Sequence, residues 1–127
     1  MTHRFQKHYT REEAQKLLPQ IRQWLEALDE LRVELETNDR RVAGLMTSGQ
    51  DMGGTLVNKS VKLLAEIQDY LRKFGEREII IKDIERGLID FPALIGGKEV
   101  FLCWEKDEED IEYWHDIDSG YAGREPL

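Results

Sequence analysis

Leu88-Ile89-Asp90-Phe91-Pro92-Ala93-Leu94-Ile95-Gly96-Gly97-Lys98-Glu99-Val100-Phe101-Leu102-Cys103-Trp104-Glu105 is the stretch that decides the fold. Two apolar-rich runs flank Gly96-Gly97, a two-residue hairpin signal, because a tight turn of this hand needs left-handed backbone at both central residues. With that turn, Ile89, Phe91 and Ala93 face Trp104, Leu102 and Val100, a wholly apolar set. A slip of one residue would turn that set away from the core, so the register supports itself. The opposite face pairs Leu88 with Glu105, Asp90 with Cys103 and Pro92 with Phe101. Pro92 has no N–H for a ladder, which predicts a free edge or a bulge beside it.

Outward from this hairpin, Ile79-Ile80-Ile81 reads as a preceding strand and Ile111 to Asp116 as a following one. Gly120-Tyr121-Ala122-Gly123-Arg124-Glu125-Pro126-Leu127 is a strap without regular period. The N-terminal half has a different period. Thr10 and Glu13 form a capping box, Ala14, Ile21, Leu28 and Leu35 repeat every seven residues, and Leu17, Trp24 and Leu31 sit three further on. Leu18 and Leu25 widen this stripe, and Pro19 predicts a kink rather than a stop. Gly44, Gly49, Gly53 and Gly54 mark a loop, after which Leu56, Leu63, Ile67, Tyr70 and Phe74 share one helical face flanked by Val57, Leu64 and Leu71. Gly75 is the expected stop, with Arg72 and Lys73 in the last turn.

The expected fold is therefore α+β. A long antiparallel helical hairpin, coiled-coil-like in its spacing, packs with a small antiparallel β-meander of three to four strands. One domain spans residues 1–127, with helices at about 10–42 and 54–75 and the meander and strap at 78–127.

The net charge of −8 and the run Glu105-Lys106-Asp107-Glu108-Glu109-Asp110 argue against nucleic acid and anionic membranes, since neither offers a basic patch. Cys103 is the only cysteine, which fits a reducing compartment. No apolar run approaches a membrane span, so the expectation is a soluble cytoplasmic protein.

Gly87-Leu88-Ile89-Asp90-Phe91-Pro92-Ala93, Leu102-Cys103-Trp104, Trp114-His115 and Gly120-Tyr121-Ala122-Gly123-Arg124 resemble a bacterial family of unknown function, numbered 2203 among domains of unknown function. Tyr9-Thr10-Arg11-Glu12-Glu13-Ala14 with Leu17-Leu18-Pro19 also fits, so the resemblance covers nearly the whole chain. Asp107-Glu108 stands where that pattern has Gly-Glu, so the acidic turn is expected to differ in shape. The resemblance implies no activity, cofactor or ligand.

A metal site would draw on Asp90, Cys103 and His115, but none of the usual ligand spacings is present. If Glu105 pairs with Asp110 across the acidic turn, His115 falls opposite Val100, on the other face from Cys103. A structural role for His115 is then the expectation. Cys103, beside a carboxylate, lacks the positive surroundings of a nucleophilic thiol. Gly44 and Gly49 have the spacing of a phosphate loop, but Gln50-Asp51 replaces the residues that would grip phosphate. The cofactor is left open. Arg124, between glycines, can bind a carboxylate or phosphate, or can pin the strap to Asp83, Asp90 or Asp116.

Two functions follow. The first is a non-catalytic interaction or scaffold module, homodimeric through Leu17, Ile21, Trp24, Leu28 and Leu31, with an unidentified protein as a further partner. Its other sticky elements would be the sheet edge near Pro92 and the aromatics Trp104, Trp114 and Tyr121. The alternative is a small-molecule- or metal-binding protein, conceivably an enzyme, with Lys82, Asp83, Asp90, His115, Asp116 and Arg124 as its polar site on the sheet.

Overall fold

The computed structural model describes residues 3–49 and 53–127. Two helices precede a five-stranded antiparallel sheet whose spatial order follows the chain, β1 to β5. Helix α1 spans Arg11–Thr47 and α2 spans Gly53–Glu76. The strands are β1 Ile80–Asp83, β2 Leu88–Ile95, β3 Lys98–Trp104, β4 Tyr113–Asp116 and β5 Glu125–Pro126.

The capping box forms as its spacing requires. The Glu13 amide donates to Thr10 Oγ1 at 3.1 Å and the Thr10 amide to Glu13 Oε1 at 3.0 Å. Helix α1 runs past the expected end, through Pro19 and through Gly44. Gly44 is therefore no part of a phosphate-binding loop, and Gln50-Asp51 lies outside the described residues. Gly75 does not stop α2 either. The helix ends at Glu76, and Glu78 adopts the left-handed conformation (φ 57°) in its place. The Ile79 amide closes on the Phe74 carbonyl and the Glu78 amide on Gly75, a Schellman closure in which Ile79 and Phe74 both enter the core.

The β2–β3 ladder has the register read from the sequence, from Ile89 opposite Trp104 to Ile95 opposite Lys98, with positive φ at both Gly96 and Gly97. Ile89, Phe91, Ala93, Val100, Leu102 and Trp104 join Ala14, Leu18, Ile21, Leu25, Leu28 and Phe74 in one core. Pro92 turns its missing donor toward the flank that β1 leaves bare. There the Tyr9 amide donates to the Pro92 carbonyl at 2.7 Å, so this part of the edge is closed. The C-terminal strap adds a fifth strand, with Tyr113 opposite Pro126 and Trp114 opposite Glu125.

The residues expected at an interface between copies are consumed inside the chain. Ile21 and Leu28 are fully buried, Trp24 packs edge-on to Phe74 with centroids 5.5 Å apart, and Leu17 and Leu31 are half-buried. Trp104 is likewise fully buried and Trp114 half-buried, which leaves Tyr121 alone of the three aromatics at the surface.

The sheet covers only the base of the hairpin. Beyond it Leu31, Leu35, Asn38, Val42 and Leu45 of α1 and Leu56, Ser60, Leu63 and Ile67 of α2 are buried or half-buried, a 3–4 spacing on both helices. Buried Asn38 donates to the Leu56 carbonyl (2.8 Å) and to Ser60 Oγ (2.7 Å), a polar pin in an apolar seam.

The expected acidic hairpin between β3 and β4 is replaced by a broad loop. Arg22 of α1 donates to the carbonyls of Lys106 (2.8 Å), Glu108 (3.0 Å) and Glu109 (3.3 Å) and lies over the Trp104 ring at 4.8 Å. Gln15 accepts from the Ile111 amide and donates to Asp110. We predict that Arg22→Ala costs about 2 kcal/mol in urea unfolding, and that Arg22→Lys recovers little because one ammonium cannot reproduce the fork.

Candidate functional site

The loop's anchoring sets the register of β4. Phe101 stands opposite His115, and Val100 opposite Asp116, one residue from the expected pairing. Side chains alternate with period two, so this single step moves His115 onto the face that carries Asp90 and Cys103. The dispersal expected from the sequence is thus corrected: the three side chains come together on three adjacent strands.

All three are almost fully enclosed, at 1% exposure for Asp90, 1% for Cys103 and 2% for His115. One ligand-capable atom from each lies within 4.8 Å of the others. His115 Nε2 is 3.0 Å from Asp90 Oδ1, and His115 Nδ1 is 2.8 Å from the carbonyl of Asp116. Asp90 Oδ2 is buried without a hydrogen-bond partner, and Lys82 Nζ stands 4.0 Å from it. Burial, followed by the charge of Asp90, pushes the Cys103 thiol up to about 12. A thiol so placed is no free nucleophile; only a bound cation would stabilise its thiolate.

The other sequence candidates take separate places. Asp83 caps the β1–β2 turn by accepting from the Arg86 amide, and Asp116 pairs with Lys98 at 2.8 Å. Arg124 does pin the strap, but to Glu108 of the acidic loop rather than to any of the aspartates considered. Its Nη2 lies 2.7 Å from both carboxylate oxygens, and its guanidinium packs over Tyr113 at 4.0 Å and Tyr121 at 4.6 Å. Its Nη2 also donates to the carbonyl of Cys103 at 3.4 Å, which ties the strap to the backbone of one member of the buried trio.

The N-terminal segment, which sequence reasoning passed over, roofs the same face. Phe5 packs edge-on to Phe101 with centroids 5.5 Å apart. Glu99 holds this segment in place, accepting from the Arg4 amide (2.9 Å), the Phe5 amide (3.1 Å) and the His8 ring (2.7 Å). Glu78 accepts from the Gln6 and Lys7 amides in the same way. The sequence signal, a carboxylate beside a glycine turn, is too common to single out. His3, His8 and Glu99 form a second cluster with metal-ligand spacing, but both Glu99 oxygens are already engaged.

Burial opposes the charge of Glu99, but the hydrogen bonds from His8, Arg4 and Phe5 outweigh it and hold the carboxyl at about 2 against an ordinary 4.5. A lowered folded-state pKa stabilises the native state above the unfolded value and loses that contribution as pH falls toward the folded one. Melting temperature should therefore fall between about pH 4.5 and pH 2 as the anchor of the N-terminal segment protonates. In Glu99→Gln, circular dichroism melts should start lower near neutrality and show a flatter slope across that window.

No helix of the described residues is long and apolar enough to cross a membrane. Searches of curated proteins and of solved structures returned no match. Residues 7–127 match the model of a family described as "Uncharacterized conserved protein (DUF2203)", and the chain belongs to that family.

Proposed function

We propose that the protein is a non-catalytic interaction module that works as a homodimer joined through the arm of its helical hairpin. The observation that carries this reading is a second apolar stripe on α2. Val57, Val61, Leu64 and Leu71 are 41%, 61%, 46% and 39% exposed, immediately beside the inner stripe that packs on α1. In a chain where 35% of residues are charged, this strip contains none: Gln68 is its one polar member and Ala65 its shoulder. Lys62 and Glu66 lie two residues from Leu64, on the far side of the helix.

The occupant we assign is a second copy. The steps from Val57 to Leu71 run four, three, four, three, so the strip reads nearly alike in both directions about Leu64. An antiparallel copy related by a two-fold axis sets Val57 against Leu71 and Leu64 against itself, which an isologous interface requires. The arm beyond the sheet is about 25 Å long and about 20 Å across two helices. That is roughly 500 Å² in projection, which side-chain corrugation raises toward the ~800 Å² per partner of a stable interface. A charge-free strip also gives an acidic chain a contact at which a copy of itself is not repelled.

Sedimentation velocity on the full chain at micromolar concentration should give the mass of a dimer. Leu64→Lys places two like charges on the axis and should yield monomer with an unchanged far-ultraviolet spectrum, since Leu64 is exposed. A wild-type chain that stays monomeric into the hundreds of micromolar would sink the reading and leave the strip to another protein.

A further inference from the structure

We propose that Asp90, Cys103 and His115 form a binding site for one divalent transition-metal ion of the zinc class. This site lies on the sheet and does not depend on how the hairpin associates. Thiolate, imidazole and carboxylate together make the mixed donor set that borderline cations such as Zn²⁺ take, and the hardest and softest metals do not. The three donor atoms lie within 4.8 Å of one another, and bonds of about 2.0–2.3 Å would draw them to roughly 3.5 Å.

One contact short of a proton and one unpartnered oxygen point to a cation. The carbonyl of Asp116 can only accept, so His115 Nδ1, 2.8 Å away, carries a proton and donates it. In the neutral ring Nε2 is then a lone pair, and it faces Asp90 Oδ1, another acceptor, at 3.0 Å. Such a pairing repels unless positive charge stands between the atoms. The unpartnered oxygen is Asp90 Oδ2, buried and without a hydrogen bond, with Lys82 Nζ 4.0 Å away. Imidazoles that bind metal characteristically donate their other N–H to a backbone carbonyl, as His115 does.

Charge balance supports the same reading. The ion replaces the proton of the Cys103 thiol, which leaves to solvent, and forms the metal–sulfur bond. One thiolate and one carboxylate then neutralise the two positive charges. The site would thus be buried with no net charge, whereas an isolated buried carboxylate is costly. Lys82 Nζ, 4.0 Å from Asp90 Oδ2 and half-exposed, is free to withdraw into water as the ion enters. The rival arrangement is a proton in the ion's place, making a buried imidazolium–carboxylate pair.

The experiment titrates chelator-stripped full-length protein with Co²⁺ alone and follows the absorption spectrum. One equivalent should produce a thiolate-to-cobalt charge-transfer band in the near ultraviolet together with visible ligand-field bands. Cys103 is the only cysteine, so the wild-type band alone assigns the ligand without any variant. Zn²⁺ should displace Co²⁺ and raise the melting temperature, and Asp90→Asn should weaken Co²⁺ binding by roughly tenfold or more. Absence of the band in folded protein at excess Co²⁺ overturns the proposal in favour of the imidazolium pair. Binding without the band, abolished by His8→Gln, also overturns it and places the ion at His3, His8 and Glu99.

Discussion

The guanidinium of Arg22, donating to three loop carbonyls while it lies over Trp104, is the contact on which the arrangement of the sheet depends. Read from the sequence alone, the acidic run after Trp104 closes as a tight turn and places β4 one residue from its observed register. Held against α1, the run becomes a broad loop, and Trp104 Nε1 donates to the Glu108 carbonyl within it. That one-residue difference decides which face His115 occupies. The same loop presents Glu108 to Arg124, so the C-terminal strap is docked by the same anchor. A single cation on a helix thereby organises two strands and a terminus.

Local chemistry was legible in the sequence wherever a pattern and its partner were close together. The capping box needs only Thr10 and Glu13, and the β2–β3 register needs only the two glycines and the alternation on either side. Both appear as read. The pairing of β4 was not legible, because the groups that set it, Gln15 and Arg22, stand 84 to 96 residues from their partners along the chain. Asp90, Cys103 and His115 were visible as donor types, but their convergence hung on that register. The N-terminal roof was missed for a similar reason. Glu99 marks nothing locally, and it acts only once Arg4 and Phe5 arrive from the other end of the chain. The heptads of α1 pointed outward to a partner because the sequence does not reveal how much of them the sheet covers.

The molecule divides into a base and an arm with different kinds of order. In the base, β2 and β3 are buried on both faces, one against the helices and the other beneath the terminal segments. Polar groups there carry a high desolvation cost, so each must be matched or filled. In the arm the helices have only each other. The buried amide of Asn38 fixes their alignment where apolar side chains alone would tolerate sliding.

Because α1 is unbroken from Arg11 to Thr47, base and arm are joined by a continuous rod rather than a hinge. The rod acts as a ruler. Seven residues added to or removed from each helix beyond the sheet would move the tip by about 10 Å along the axis and return every side chain to nearly the same azimuth. Such a change would leave the packing of the base untouched. The reach of the arm and the chemistry of the sheet can therefore vary independently, with length set by counting turns and site geometry set by strand register.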